Sequence, residues 1–313
     1  MPSQPASNLS APIDLHAVRR LFDRPDRIAD SNFLRREVAG RMHERLSLVK
    51  IAPERVLDLG CGEGADFTAL QELYPQAHLV GVDASQALLA VGRQGRSAAA
   101  TSMTRLLGKL LPRKMGARPE DGAGQLCGDF SQLPCATASA DLIWSNLALH
   151  WHPQPDLVFA EWRRVLRVDG LLMFSCFGPD TFKEIRDAFS GIDATPHTLN
   201  FVDMHDLGDM LVNTGFSTPV MDMETITVTY ESTDKLLADV RAWGGNPLLT
   251  RRRGLYGRGD WARLLGALDA CRRPDGKIPL TFEVVYGHAF RPAPTRTAAG
   301  EAIIRLDLPR RRQ

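Results

Sequence analysis

The spacing of apolar residues changes along the chain, and each change marks an element. Residues 31–49, SNFLRREVAGRMHERLSLV, carry apolar side chains at Phe33, Leu34, Val38, Met42, Leu46 and Val49, close to the 3.6-residue repeat of an amphipathic helix. ERVLDLG at 54–60 follows, and its apolar core resembles a short buried strand. A helix is expected over 65–75, where Pro75 ends it, then a strand at 77–83 (AHLVGVD) and a further helix from SQALLAVGRQG. Strand, glycine loop, helix and strand in such quick succession predict a βαβ start and a parallel sheet with its ligand at the C-terminal strand ends.

The segment 96–124 interrupts this rhythm. RSAAATSMTRLLGKLLPRK suits one basic amphipathic helix and MGARPEDGAG a loop, so an excursion from the sheet is expected there. Strands resume at 125–130 and 140–149, a helix at 155–167 and a strand at 170–177, with Asp169-Gly170 read as a tight turn before it. Two helices, DTFKEIRDAF and DMHDLGDMLVNTGF, precede strand candidates at 219–230 and 280–290. Helical patterns near 232–243 and 259–272 fill the interval between those strands and suggest a lid above the sheet. The expected fold class is α/β, a doubly wound, mostly parallel sheet with an antiparallel terminal strand and a helical lid. Its parts are a tail and leading helix at 1–30, a core at 31–230, the lid at 231–279, a final core strand at 280–292 and a basic tail at 293–313.

Composition narrows the class without naming a function. With 44% hydrophobic and 24% charged residues and a net charge of +1, the chain reads as an ordinary globular protein with no global pull toward nucleic acid. No apolar run is long enough for stable membrane insertion. The first fourteen residues, polar and proline-bearing, lack the features of a secretory signal and read as a loose tail. The five cysteines, at 61, 127, 135, 176 and 271, show no paired spacing, which fits free thiols and a cytoplasmic location. Basic residues gather at Arg105, Lys109, Arg113 and Lys114, at Arg251 to Arg253, and at 310–312.

Candidate chemistry gathers at the strand exits. Gly60, Gly62 and Gly64 in VLDLGCGEG let the backbone turn sharply around Cys61 and approach a ligand, although the same spacing through Ala65 also fits a nicotinamide fingerprint. Asp58, inside the strand end, is a carboxylate that needs a partner, and a cationic ligand would supply one. Asp83 ends the second strand, with Ala84 beside it, where an acid can accept from a ribose diol or else cap the helix beginning near Ser85. Asp129 could accept from an adenine amine while Phe130 or Leu133 covers the ring; the alternative is a turn acid and a core aromatic. Asn146 closes the fourth strand, with Trp144, His150 and Trp151 close in sequence as packing residues or substrate contacts. No metal-ligand spacing or GxSxG elbow is present.

Taken together, VLDLGCGEG, VGVD, CGDFSQLP and the strand-four segment, within residues 51–177, resemble the class I S-adenosylmethionine methyltransferases. The resemblance implies that Gly60, Gly62 and their loop hold the methionine end of S-adenosyl-L-methionine, Asp83 its ribose, and Asp129 and Phe130 its adenine. GDFSQLPCATASADLIWSNLALHW at 128–151, FDRPDRIAD at 22–30 and PLTFEVVYGHAF further resemble the malonyl-acyl-carrier-protein O-methyltransferases of biotin synthesis. These imply a malonyl-loaded acyl-carrier protein as partner and its free carboxylate as methyl acceptor. FLRREV at 33–38, FGPDTFKEIRDAF at 177–189 and PHTLNFVDMHDLGDMLVNTGF at 196–216 also resemble complex I assembly factors that hydroxylate a protein arginine on the same fold. A small-molecule methyltransferase with another acceptor is a third reading.

A malonyl carboxylate is ionised near neutrality and needs no strong base, only alignment and exclusion of water. An arginine fork suits that task, and Arg36 and Arg241 are the candidates, alongside Asn146, His150 and Trp151. The basic clusters are candidates for steering an acidic carrier.

Overall fold

The computed structural model describes residues 12–28, 32–107, 124–243 and 245–294, with backbone only over 99–107. Lys109, Arg113 and Lys114, the loop of the excursion and the closing arginines at 310–312 lie outside the described residues, as does the side chain of Arg105. Three helices come first: α1 (Leu15–Phe22), α2 (Pro25–Ile28) and α3 (Asn32–Ser47). The alternating core follows as β1 (Arg55–Leu59), α4 (Phe67–Leu73), β2 (His78–Asp83), α5 (Gln86–Leu107), β3 (Gly124–Cys127), β4 (Ala140–Ser145), α6 (Pro155–Val165) and β5 (Leu166–Phe177). Then come α7 (Lys183–Ser190), α8 (Met204–Thr214), β6 (Ser217–Tyr230), the lid helices α9 (Thr233–Ala242) and α10 (Arg258–Asp269), and β7 (Ile278–Phe290).

The seven strands form one sheet in the order β3-β2-β1-β4-β5-β7-β6. β1 to β5 are parallel, and β7 inserts antiparallel between β5 and β6. Strand order reverses between β1 and β4, which opens a crevice at their C-terminal ends. Because a strand sends alternate side chains to opposite faces, β4 feeds two cores. Leu142 and Trp144 join Val56, Leu171 and Met173 beneath α3, α4, α7, α9 and α10. Ile143 joins Leu57, Leu172 and Phe174 beneath α6 and α8. Every residue of β4 is buried, Asp141 and Ser145 included.

Helix α3 buries Leu34, Val38, Met42 and Leu46, one side chain per turn, while Phe33 is 45% exposed. Polar contacts hold it on the sheet: Arg41 pairs with Glu224, Arg45 pairs with Asp222 at 2.6 Å, and the Arg45 guanidinium stacks 4.0 Å from the Tyr286 ring centroid.

Three local expectations change. α5 runs on to Leu107 instead of ending near Gly95, because the alanine-rich stretch after it is good helix-forming sequence. Asp169-Gly170 is no turn before a strand: β5 begins at Leu166, and Asp169, at φ 62°, sits in a register shift against β4. That bulge is tied to the sheet by Asp169 N–H donating to the Arg291 carbonyl and Arg291 N–H to that of Gly170. Residues 12–14 are no loose tail. Ile13 bridges Leu248 of the segment after α9, Asp14 N–H donates to the Pro247 carbonyl, and the Asp14 carboxylate caps α1 at Ala17 N.

Trp162 on α6 is fully buried and its Nε1 donates to the Phe130 carbonyl at 3.0 Å, so it fixes the turn after β3 as well as filling the core. Trp162→Ala should lower stability by about 3–5 kcal/mol. Urea unfolding measures this, and an unchanged midpoint would contradict the packing role.

Candidate functional site: a crevice at the strand exits

The crevice is shaped first by what its backbone excludes. Gly60 has φ 76°, and a Cβ there would lie 2.3 Å from the Ala148 Cβ, so only glycine lets β1 turn while β4's exit closes over it. On α5, a Cβ at Gly92 would lie 2.0 Å from the Glu63 carbonyl oxygen, which lets the helix pack directly on the glycine loop. Gly64 also has positive φ, at 80°, but supports the loop from behind and does not line the crevice.

Asp83 joins the two strand exits. Its Oδ2 accepts the Gly62 amide at 2.8 Å and its Oδ1 the Ser85 amide at 2.7 Å. Each carboxylate oxygen keeps a lone pair for a further donor such as a ribose hydroxyl. Burial raises the pKa of Asp83, and the Ser85 and Gly62 amides and Arg35 oppose that.

Two connected compartments open from this point. One, of about 740 Å³ including its open mouth, is lined by Gly60, Gly62, Asp83, Ala84 and Phe130 on one side. Val18, Phe22, Trp151, Phe177 and Trp243 line the other. The second is lined by Asp58, Cys61, Asp66, Arg36 and Asn32, and shares Arg35, Gly60, Gly62 and Asn146 with the first. The first is mostly aromatic and aliphatic, as a nucleoside site requires, and the second is rich in charge.

The charged compartment crowds buried carboxyl groups together. Asp58 is 2% exposed and its Oδ2 has no hydrogen-bond partner among the described residues. Burial raises its pKa well above the ordinary carboxylate value, and the neighbouring Asp66 and Asp83 add to the shift. Asp66 accepts Trp144 Nε1–H at 2.8 Å, and the Trp144 ring stacks on His43 at 4.4 Å between centroids. Burial also raises the Cys61 thiol, which makes it a wall residue and no nucleophile.

Asn146 is held rigidly just beyond β4. Its Nδ2 donates to the Arg35 carbonyl at 3.0 Å, and its Oδ1 accepts from the buried Ser175 hydroxyl at 2.9 Å. Ser175 in turn accepts the Leu147 amide, at 3.0 Å, which holds Leu147 in its left-handed conformation at φ 50°.

The structure thus gathers Asp58, Gly60, Cys61, Gly62, Asp83, Ala84, Phe130, Asn146, His150, Trp151 and Arg36 around one crevice. Asp129 lies off the wall: it accepts from Ser131 N and Oγ and pairs with Arg19 at 3.8 Å. Arg241 is exposed and away from the lining, where Ala242 and Trp243 stand instead. Sequence reasoning missed Arg35, Asp66, Ser175 and Trp243. Ser175 could have been noticed as a hydroxyl in an otherwise apolar strand, and Asp66 carries no such signal. Arg251 pairs with Asp14 and Arg252 with Asp193, so two of the three lid arginines are engaged within the fold. No cluster of metal-ligating side chains occurs among the described residues.

The residues present fit S-adenosylmethionine. A buried, unpartnered carboxylate oxygen suits a cationic ligand, the glycine loop has no side chains to block close approach, and Asp83 offers acceptors beside an apolar cavity.

Residues 57–174 match the family described as a methyltransferase domain. The malonyl-[acyl-carrier protein] O-methyltransferase of Laribacter hongkongensis is 46% identical over 286 residues, 90% of each chain. The chain belongs to this family. The Gallionella capsiferriformans protein of the same name is 44% identical, over 94% of this chain and 96% of its own. Among solved structures, the YcgJ protein of Bacillus subtilis superposes with a TM-score of 0.53 at 15% identity, covering 83% of this chain and all of its own. A putative methyltransferase from Bacillus halodurans gives 0.52 at 14%, covering 82% and 99%. These two structures establish that this family member has the methyltransferase fold.

Two outcomes are expected. Gly60→Ala should weaken S-adenosylmethionine binding at least ~10-fold, because left-handed backbone strain of about 1–2 kcal/mol adds to the clash with Ala148. Wild-type affinity by calorimetry would show that the loop has room. A raised pKa means that Asp58 keeps its proton above the usual carboxylate range in the ligand-free protein. A cationic ligand favours the ionised form, so binding should release a proton and affinity should rise with pH until Asp58 is ionised without ligand. Calorimetry in buffers of different ionisation enthalpy reads that proton; a pH-independent affinity would remove the link.

Proposed function

We propose that the protein transfers a methyl group from S-adenosyl-L-methionine to the free carboxylate of a malonyl thioester on acyl-carrier protein, a step in biotin precursor synthesis. The observation that carries this reading is end-to-end similarity, 46% over 90% of both chains, to a relative named for that activity. The crevice supports it by offering a nucleoside-sized apolar cavity beside a charged pocket.

The cofactor supplies a methyl group already activated on a sulfonium. The protein therefore has to bind, align and dehydrate. Asp83 orients the ribose through whichever lone pairs its two amide contacts leave open. Asp58 and Asp66, which line the charged compartment, would face the cationic end. Phe22, Trp151, Phe177 and Trp243 keep water from the line of attack. A carboxylate oxygen would form the new O–C bond as the S–C bond breaks, with the electron pair staying on sulfur. Anion and cation cancel, so no proton moves and no general base is required.

A carrier protein is a macromolecular acceptor, which requires a mouth rather than a closed cavity. α1 and the lid form that mouth and are joined at Ile13 and Leu248. No helix among the described residues is long and apolar enough to cross a membrane.

Incubation with methyl-labelled cofactor and malonyl-acyl-carrier protein should give a +14 Da, base-labile ester on the carrier by intact-protein mass spectrometry. No transfer at saturating cofactor would defeat the reading. A +16 Da product on a protein arginine would favour the hydroxylase chemistry instead.

A further inference from the structure

Two buried N–H groups in the apolar compartment have no partner among the described residues: Nε2 of His150 and Nε1 of Trp243. Both residues line the cavity that holds Gly60, Asp83 and Asn146. Both rings pack on Phe177, with centroid distances of 4.7 Å for His150 and 6.0 Å for Trp243. They reach it from different elements, His150 from the turn after β4 and Trp243 from the C-terminal end of the lid helix α9.

Their chemistry is restricted in the same way. An indole N–H can only donate. In His150, Nδ1 faces the Phe177 amide at 3.4 Å and so acts as acceptor, which assigns the ring proton to Nε2. Burial pulls the imidazole pKa down to about 3, so the ring is neutral wherever the enzyme works. Two of the lining residues thus carry a buried neutral donor with no partner among the described residues, and buried donors are seldom left unmatched without a reason.

Resting on the methyltransfer reading above, we propose that His150 Nε2–H and Trp243 Nε1–H position the acceptor carboxylate, taking the place that the sequence suggested for an arginine. Neutral donors suit this acceptor. A guanidinium fork would engage both carboxylate oxygens and draw electron density from the one that must attack, whereas single N–H groups fix its direction and leave a lone pair on the attacking oxygen. Trp243 comes from the lid and His150 from the turn after β4, so the donor pair draws on both walls of the cavity.

The test uses the full-length protein with Trp243→Phe, His150→Phe and His150→Gln. The glutamine keeps an N–H close to the position of Nε2, and the two phenylalanines remove the donors. Each donor-free variant should lose ~10- to 100-fold in kcat/KM for malonyl-acyl-carrier protein. His150→Gln should recover most of that loss, and cofactor Kd should stay within about twofold of wild type throughout. Because both rings also pack on Phe177, melting temperatures of the ligand-free variants are read alongside, so that kcat/KM is compared on folded protein. Unchanged kcat/KM in the phenylalanine variants would overturn the proposal, as would a loss confined to cofactor binding. Absence of transfer by the wild-type enzyme is a different result, and strikes the functional reading instead.

Discussion

Everything in the crevice hangs on the junction between two adjacent strand ends. β1 must reverse immediately after Leu59, and the Gly62 amide must face the carboxylate that ends β2. The first needs a residue with no Cβ against Ala148, and the second needs an acid at Asp83. When both hold, the loop is already in place before any ligand arrives, so binding does not have to order it. Asp83 therefore shapes the protein and remains available to a ligand. That economy explains why its carboxylate stays in the crevice despite the desolvation that raises its pKa.

Around this junction carboxyl groups accumulate, with Arg35 and Arg36 on the same lining. Asp58, Asp66 and Asp83 crowd one small space, and only Asp66 has an indole donor, Trp144, to satisfy it from the core. A site with such unmatched polarity is suited to a cation and poorly suited to a neutral or anionic ligand. The apolar compartment next to it shows the complementary pattern, donors without acceptors at His150 and Trp243. One crevice thus offers acceptors at one end and donors at the other, which matches a cationic methyl donor meeting an anionic acceptor. The walls that enclose them come from opposite ends of the chain. α1 contributes Val18 and Phe22, the lid contributes Trp243, and the Ile13–Leu248 bridge ties the two segments together.

Much of this was legible in the sequence because backbone demands leave residue-type signatures. Glycines at a strand exit and an acid at the next exit announced the crevice, and apolar runs announced a sheet covered on both faces. Side-chain direction was less legible. On α3 the adjacent Arg35 and Arg36 differ by about 100° around the helix axis, and the apolar pattern that included both Phe33 and Leu34 could not fix the rotation. In the structure Leu34 is buried, Phe33 is half exposed against Trp243, and Arg35 lies between the two compartments. The same limit separates Arg241 from Trp243 at the end of α9. Asp129 follows β3, with its Oδ1 accepting from Ser131 and its Oδ2 3.8 Å from Arg19. Non-local contacts such as Ser175 to Asn146 leave almost no local trace.

The most direct measurement is a calorimetric titration of S-adenosylmethionine into wild-type protein and Asp83→Asn. An asparagine there has one acceptor oxygen in place of two, so it cannot hold Gly62 and Ser85 and also serve a ribose diol. Affinity should fall by at least ~10-fold, consistent with the loss of one or more hydrogen bonds to a charged group. Equal affinity in the two proteins would mean that the junction at the strand exits does not bind the nucleoside, and the functional reading built on it would fall.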